Sequence, residues 1–184
     1  MQLTIHLPSR EETLAFNRQR WGEILADPRW NACDERIETN AFGNILMSPP
    51  ASGSHCKRQF RIGGLLERLL AERGLPGEGF GECPISTIDG VKACDAAWFS
   101  AERYARVRGQ QAYEEAPEIC VEVVSPSNTE NELQHKRSLY FEAGAMECWR
   151  CDQQGRMTFY YQNAPDVPKP RSEFCPEFPV EISD

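Results

Sequence analysis

The chain has 184 residues, 40% of them hydrophobic and 26% charged, with 28 acidic against 20 basic side chains and a formal net charge of −8. This composition belongs to one folded domain with a real hydrophobic core rather than to a disordered chain, and the acidic balance argues against non-specific nucleic-acid binding by bulk charge. No apolar run approaches the roughly 20 residues of a membrane helix, and Met1 to Thr13 has neither a basic lead nor a long apolar centre, so a cytoplasmic protein without a membrane partner is expected. An acidic total still permits a nuclease, because metal-binding acids and a local basic patch can coexist with it.

In chain order, Ser9 followed by Glu12 fits a capping box and predicts a helix to about residue 25, with Leu14, Trp21 and Leu25 as packing residues. Asp27-Pro28 ends it. Residues 36–39 and 44–47 read as two short strands around a turn at 40–43. A Ser/Pro/Gly loop at 48–53 leads into a helix over 55–72, whose buried face is Ile62, Leu65, Leu66, Leu69 and Leu70. Two strands follow, 82–86 and 91–99, joined at Asp89-Gly90. Residues 101–107 suit a short helix.

The most informative stretch is Pro117 to Trp149. Residues 118–124 form a compact strand, apolar or β-branched apart from Glu118 at its start and Glu122 in its middle. A strand of this kind is usually covered on both faces, where a lone carboxylate must be protonated, paired with a cation or bound to a metal. Ser125-Pro126-Ser127-Asn128 stops the strand, and a helix over 129–143 ends at Gly144. Leu133, Lys136 and Tyr140 fall three and four apart, which puts the lysine on an apolar stripe. A strand over 145–151 completes the unit. Another follows at 157–162, and the proline-rich remainder is expected to lie along the surface in extended form.

Eight cysteines raise the question of disulfides or zinc. Their spacing is scattered, and the one CxxC, Cys148 to Cys151, would point its thiols to opposite faces of a strand. Reduced cysteines serving as small core residues are expected.

Asp95 and Glu122 are acids inside strands, 27 positions apart, with Lys136 a further 14 along. Two carboxylates can hold Mg²⁺ or Mn²⁺, and a lysine can stabilise the extra charge of phosphodiester cleavage. The competing structural reading puts Asp95 at a strand end and pairs Lys136 with Glu132 on the helix surface.

The order of motifs resembles the Uma-type restriction-endonuclease family of the PD-(D/E)XK nuclease superfamily. The resemblance is carried by Pro117-Glu118-Ile119-Cys120-Val121-Glu122-Val123-Val124-Ser125-Pro126-Ser127 and continues through Lys136, Tyr140, Gly144, Glu147 and Trp149. Upstream, Glu38 stands nine residues before Met47-Ser48-Pro49, and His55 follows that loop. The resemblance implies a restriction-endonuclease-like α/β core, a mixed β-sheet flanked by helices, with a lead-in over 1–35, the nuclease core over 36–162 and a tail over 163–184. It implies Asp95 and Glu122 as metal-binding acids, the Val123 backbone carbonyl as a further ligand, and Lys136 as a lysine moved from the strand position of Val124 to the following helix. Glu38 and His55 are implied accessories. Cys94 replaces the proline that normally precedes the first acid. The implied activity is Mg²⁺-dependent cleavage of DNA, by analogy in a homodimer. The alternatives are a non-catalytic relative that binds nucleic acid or protein with the same cleft, and a zinc or redox protein built on the cysteines.

Overall fold

The computed structural model describes residues 7–31 and 35–183. Helix α1 (Arg10–Ala26) starts at the expected capping box: Ser9 Oγ accepts the Glu12 N–H at 3.2 Å, and the Glu12 carboxylate accepts the Ser9 N–H at 2.8 Å. Its buried side is Asn17, Trp21 and Ile24, while Leu25 is 40% exposed. Trp21 is buried and Leu14 half-buried as expected, but Ile24 takes the place of Leu25, and the Asn17 amide joins the face because it finds buried partners, donating to Ser86 Oγ at 3.0 Å and to the Thr87 carbonyl at 2.8 Å. A single turn, α2 (Pro28–Asn31), follows.

Strands β1 (Arg36–Thr39) and β2 (Ile45–Ser48) form a separate antiparallel hairpin. Helix α3 (Gly53–Glu72) begins slightly earlier than expected because Ser52 caps it, its hydroxyl accepting the His55 N–H. Ile62, Leu66 and Leu70, spaced by four, are fully buried, and Leu65 and Leu69 pack partly beside them.

The main sheet has six strands in the order β3-β4-β5-β6-β7-β8: β3 (Gly77–Thr87), β4 (Gly90–Ser100), β5 (Ile119–Val123), β6 (Glu147–Cys151), β7 (Met157–Tyr161) and β8 (Ala164–Lys169). Only β5 and β6 are parallel, as expected for strands joined through a helix, here α5 (Glu130–Glu142); the other neighbours are antiparallel. Helix α3 and the chain end cover one face, burying Trp98, Val121, Trp149 and Phe159. Helices α4 (Ala101–Val107) and α5 cover the other, around Phe99, Cys120 and Tyr140. The result is the expected α/β sheet flanked by helices.

The chain end departs from the surface course expected of it. Strand β8 is largely exposed at the sheet edge, but Cys175, Phe178 and Ile182 beyond it are buried. The Phe178 ring lies 4.6 Å from that of Trp149, and buried Glu147 accepts the N–H groups of Glu173 and Phe174 at 2.8 Å each. Cys56, Cys83, Cys94, Cys120, Cys148 and Cys175 are free thiols, and Cys148 and Cys151 do face opposite core clusters; Cys33 lies outside the described residues.

Candidate active site

The site begins where β4 and β5 part. Their ladder ends at the pair Ala96 and Val121, and one further step in that register sets Asp95 opposite Glu122. On the other side, the β3–β4 register runs through Gly81 with Ala96 and Cys83 with Cys94, passing over Glu82 and Asp95. Glu82 has φ of 50°, the one positive value at a non-glycine among the described residues. Ala96 and Trp98 face the α3-side core, whereas Cys94 shares the α5-side core with Ala97 and Phe99. Regular alternation would put Cys94 with Ala96, so the facing of the strand slips by one at Asp95, opposite Glu82, while the register between β3 and β4 is kept. The slip aims Asp95 into the parting of the strands, where its Oδ2 accepts the Val123 N–H at 2.6 Å.

The β1–β2 hairpin closes over this point and is held to β4 by side chains. Thr39 Oγ1 accepts the Val91 N–H, and the Thr39 carbonyl accepts from Lys92 Nζ, each at 2.8 Å. Alternation along β1 puts Arg36 and Glu38 on one face, and that face looks into the site. Glu38 accepts the Ala93 N–H at 3.0 Å. The Arg36 guanidinium lies 2.5 Å from Asp95 Oδ1 and 3.1 Å from the Glu82 carboxylate. From the first turn of α3, His55 Nε2 reaches Asp95 Oδ1 at 3.3 Å.

Helix α5 supplies the third wall. Lys136 Nζ donates to Glu122 Oε1 at 2.8 Å and to the Ala93 carbonyl at 2.9 Å, and lies 3.1 Å from Glu38. Tyr140, one turn later, donates its hydroxyl to Glu122 Oε1 at 2.7 Å. Glu132, the expected surface partner of Lys136, is occupied instead with the cap at Thr129. The surface reading of the lysine therefore does not hold.

These contacts set the charges. Burial pushes the Glu122 carboxyl up to about 7; Lys136 opposes the rise and Asp95 adds to it. Burial also works against the charge of Asp95, but the His55 hydrogen bond, Arg36 and the Val123 N–H outweigh it and hold Asp95 below the usual carboxylate range. The Asp95 hydrogen bond is the main reason that His55 is raised. Lys136 would be lowered by burial, yet Glu122 and Glu38 keep it raised and charged. One carboxylate is thus firmly ionised, and its neighbour holds a proton near neutrality.

Asp95, Glu122, Lys136, Glu38 and His55 all meet in one cleft of about 1070 Å³, whose outer wall is apolar, with Trp30, Met47 and Pro126 among its residues. The sequence reading missed Arg36, Glu82 and the bond from Tyr140. Arg36 was signalled by its place two residues before Glu38 on a short strand. Glu82 carried no such signal, because a positive φ at glutamate arises only from the packed sheet.

A six-stranded mixed sheet with acids at the parting of two strands defines a restriction-endonuclease-like α/β protein. Residues 23–180 match the Uma2 family, described as "Putative restriction endonuclease", and the chain belongs to that family. A crystal structure from Anabaena variabilis ATCC 29413, described as a "putative nuclease belonging to DUF820", shares the fold at 19% identity and a TM-score of 0.64, covering 88% of this chain and 93% of that one. No curated protein matches the chain. Family membership supports nuclease function in general terms.

Proposed function

We propose that this chain is an endonuclease that hydrolyses DNA phosphodiester bonds at Asp95, Glu122 and Lys136, with Mg²⁺ or Mn²⁺ as its resident ion. The observation that carries the reading is the convergence of a buried carboxylate, Asp95, with the half-buried Glu122 carboxylate and Lys136 ammonium, from β4, β5 and α5, in one cleft. Among the described residues no trio of His, Cys, Asp and Glu is arranged to hold a metal. The donor set nevertheless fits a hard cation: Asp95, Glu122 and the Val123 carbonyl would hold it, and Mg²⁺ usually keeps several waters of its own. When bound, such an ion neutralises the phosphate and lowers the pKa of a bound water.

The chain's own residues do the rest. Lys136, charged and fixed by Glu122, Glu38 and the Ala93 carbonyl, is placed to face the negative charge that develops on the phosphate oxygens. Tyr140 fixes the rotamer of Glu122 through Oε1. His55 holds Asp95 from the α3 side. Carboxylates outnumber lysines and arginines by seven to three among the lining residues. A phosphodiester would be repelled by that surplus unless a divalent cation offset it, which also favours metal dependence.

One observation favours the second reading, a binding module without catalysis: Arg36 already neutralises Asp95. Incubation of plasmid and single-stranded DNA with Mg²⁺ or Mn²⁺, with Glu122→Ala as control, separates the two. Cleavage that needs the metal and disappears in the variant is expected. No cleavage by wild type under either ion sinks the catalytic reading.

A further inference from the structure

Arg36 sits where the charges of the cleft meet. Nη1 lies 2.5 Å from Asp95 Oδ1, Nε 3.1 Å from Glu82 and Nη2 3.5 Å from Glu38. The lone pairs of Asp95 can be counted. Oδ2 faces β5 and accepts the Val123 N–H, while Oδ1 faces both Arg36 and His55 Nε2. A carboxylate oxygen offers about two acceptor directions, so Oδ1 has none left for another partner.

We propose that a divalent ion and the Arg36 guanidinium are alternative occupants of Asp95 Oδ1, so that metal entry displaces the arginine. The inference rests on the metal-dependent reading given above. Of the two present partners, His55 can remain as a neutral ring beside a dication, whereas a guanidinium cannot lose its charge. A dication and a fixed guanidinium at one oxygen would repel with twice the force of a unit pair, in a cleft where little water screens them. Arginine is also the side chain suited to hold such a place without metal, because its planar fork reaches several carboxylates at once. Glu82, Glu38 and Asp95 are approached by three different nitrogens of that fork. Glu82, at its positive φ on β3, brings its carboxylate within 3.1 Å of Nε. The consequence is a metal affinity weakened by the fraction of molecules in which Arg36 occupies its seat.

The test is Mn²⁺ affinity by calorimetry on the full chain, in wild type, Arg36→Met and Asp95→Asn. The expected result is binding at least ~10-fold tighter in Arg36→Met and lost in Asp95→Asn. Because Arg36→Met leaves its acids without a partner and can fail to fold, the wild type supplies a second readout, the Arg36 Nε–H resonance in a ¹⁵N NMR titration with Mg²⁺. That resonance is expected to move as calorimetric saturation is reached. Unchanged or weaker affinity in folded Arg36→Met, or a resonance unmoved at saturation, overturns the exchange and leaves the metal site standing. Mn²⁺ binding absent from both wild type and Arg36→Met, or unaffected in Asp95→Asn, overturns the metal-dependent reading and this one with it.

Discussion

Glu122 carries the least comfortable charge in the cleft, and that discomfort has a measurable sign. Its carboxyl ordinarily titrates at 4.5 and is raised here to about 7, chiefly by burial. A carboxyl raised in the folded state favours folding fully below its unfolded pKa and loses that contribution as pH climbs through the folded value. Metal-free wild type should therefore lose stability relative to Glu122→Gln between pH 4.5 and 7.5, by roughly 3 kcal/mol for a shift of this size. Urea midpoints of the two proteins in chelator, taken across that range, read the difference; parallel curves would show that the carboxyl is not raised. Lys136→Met should behave in the opposite sense to a simple surface change. Its cost should be modest at pH 5.5, where Glu122 can stay protonated. At pH 8 it should approach the ~3–5 kcal/mol of a broken buried pair.

At the scale of elements, the hairpin is the part that completes the site, and it leans on one glycine. Gly90 has φ of 82°, and a Cβ there would lie 2.5 Å from the Thr39 carbonyl oxygen and 2.6 Å from that of Asn40. Gly109 has φ of 90° with nothing within 4 Å of such a Cβ. Both changes to alanine incur left-handed strain of ~1–2 kcal/mol, but only Gly90→Ala should also push away the strand that carries Arg36 and Glu38. Thermal unfolding of the two variants compares them, and equal losses would mean that the hairpin is not seated tightly on β4. The unit β5-α5-β6 was legible in the sequence because its signals are local: an apolar strand with an acid in its middle, a Ser-Pro-Ser-Asn stop and a closing glycine. Lys136 could be placed from its spacing to Leu133 and Tyr140, which a helix must honour. The slip at Asp95 could not be read, since it depends on Glu82 in a neighbouring strand. Trp21 on α1 was read correctly, but Asn17 was missed for a related reason, as it looks polar until Ser86 and the Thr87 carbonyl arrive to satisfy it.

Across the whole molecule, the chain end is a working part of the core, although its prolines suggested a surface course. Phe178 is 3% exposed and packs on Trp149, which lies on the strand beside β5. Phe178→Ala should cost ~3–5 kcal/mol in urea unfolding; a loss below ~1 kcal/mol would return the tail to the periphery. Two layers of helices on one mixed sheet thus serve a single purpose, which is to hold carboxylates and an ammonium at a depth where water screens them poorly. The most direct test of that account is the rate of plasmid cleavage by wild type and Lys136→Met, side by side in saturating Mn²⁺, after both are shown to be folded. The lysine touches Glu122 and Glu38, so its loss should slow cleavage by ~10²-fold or more while Mn²⁺ binding persists. Equal rates in the two proteins, or wild-type cleavage that survives chelation of the metal, would contradict it.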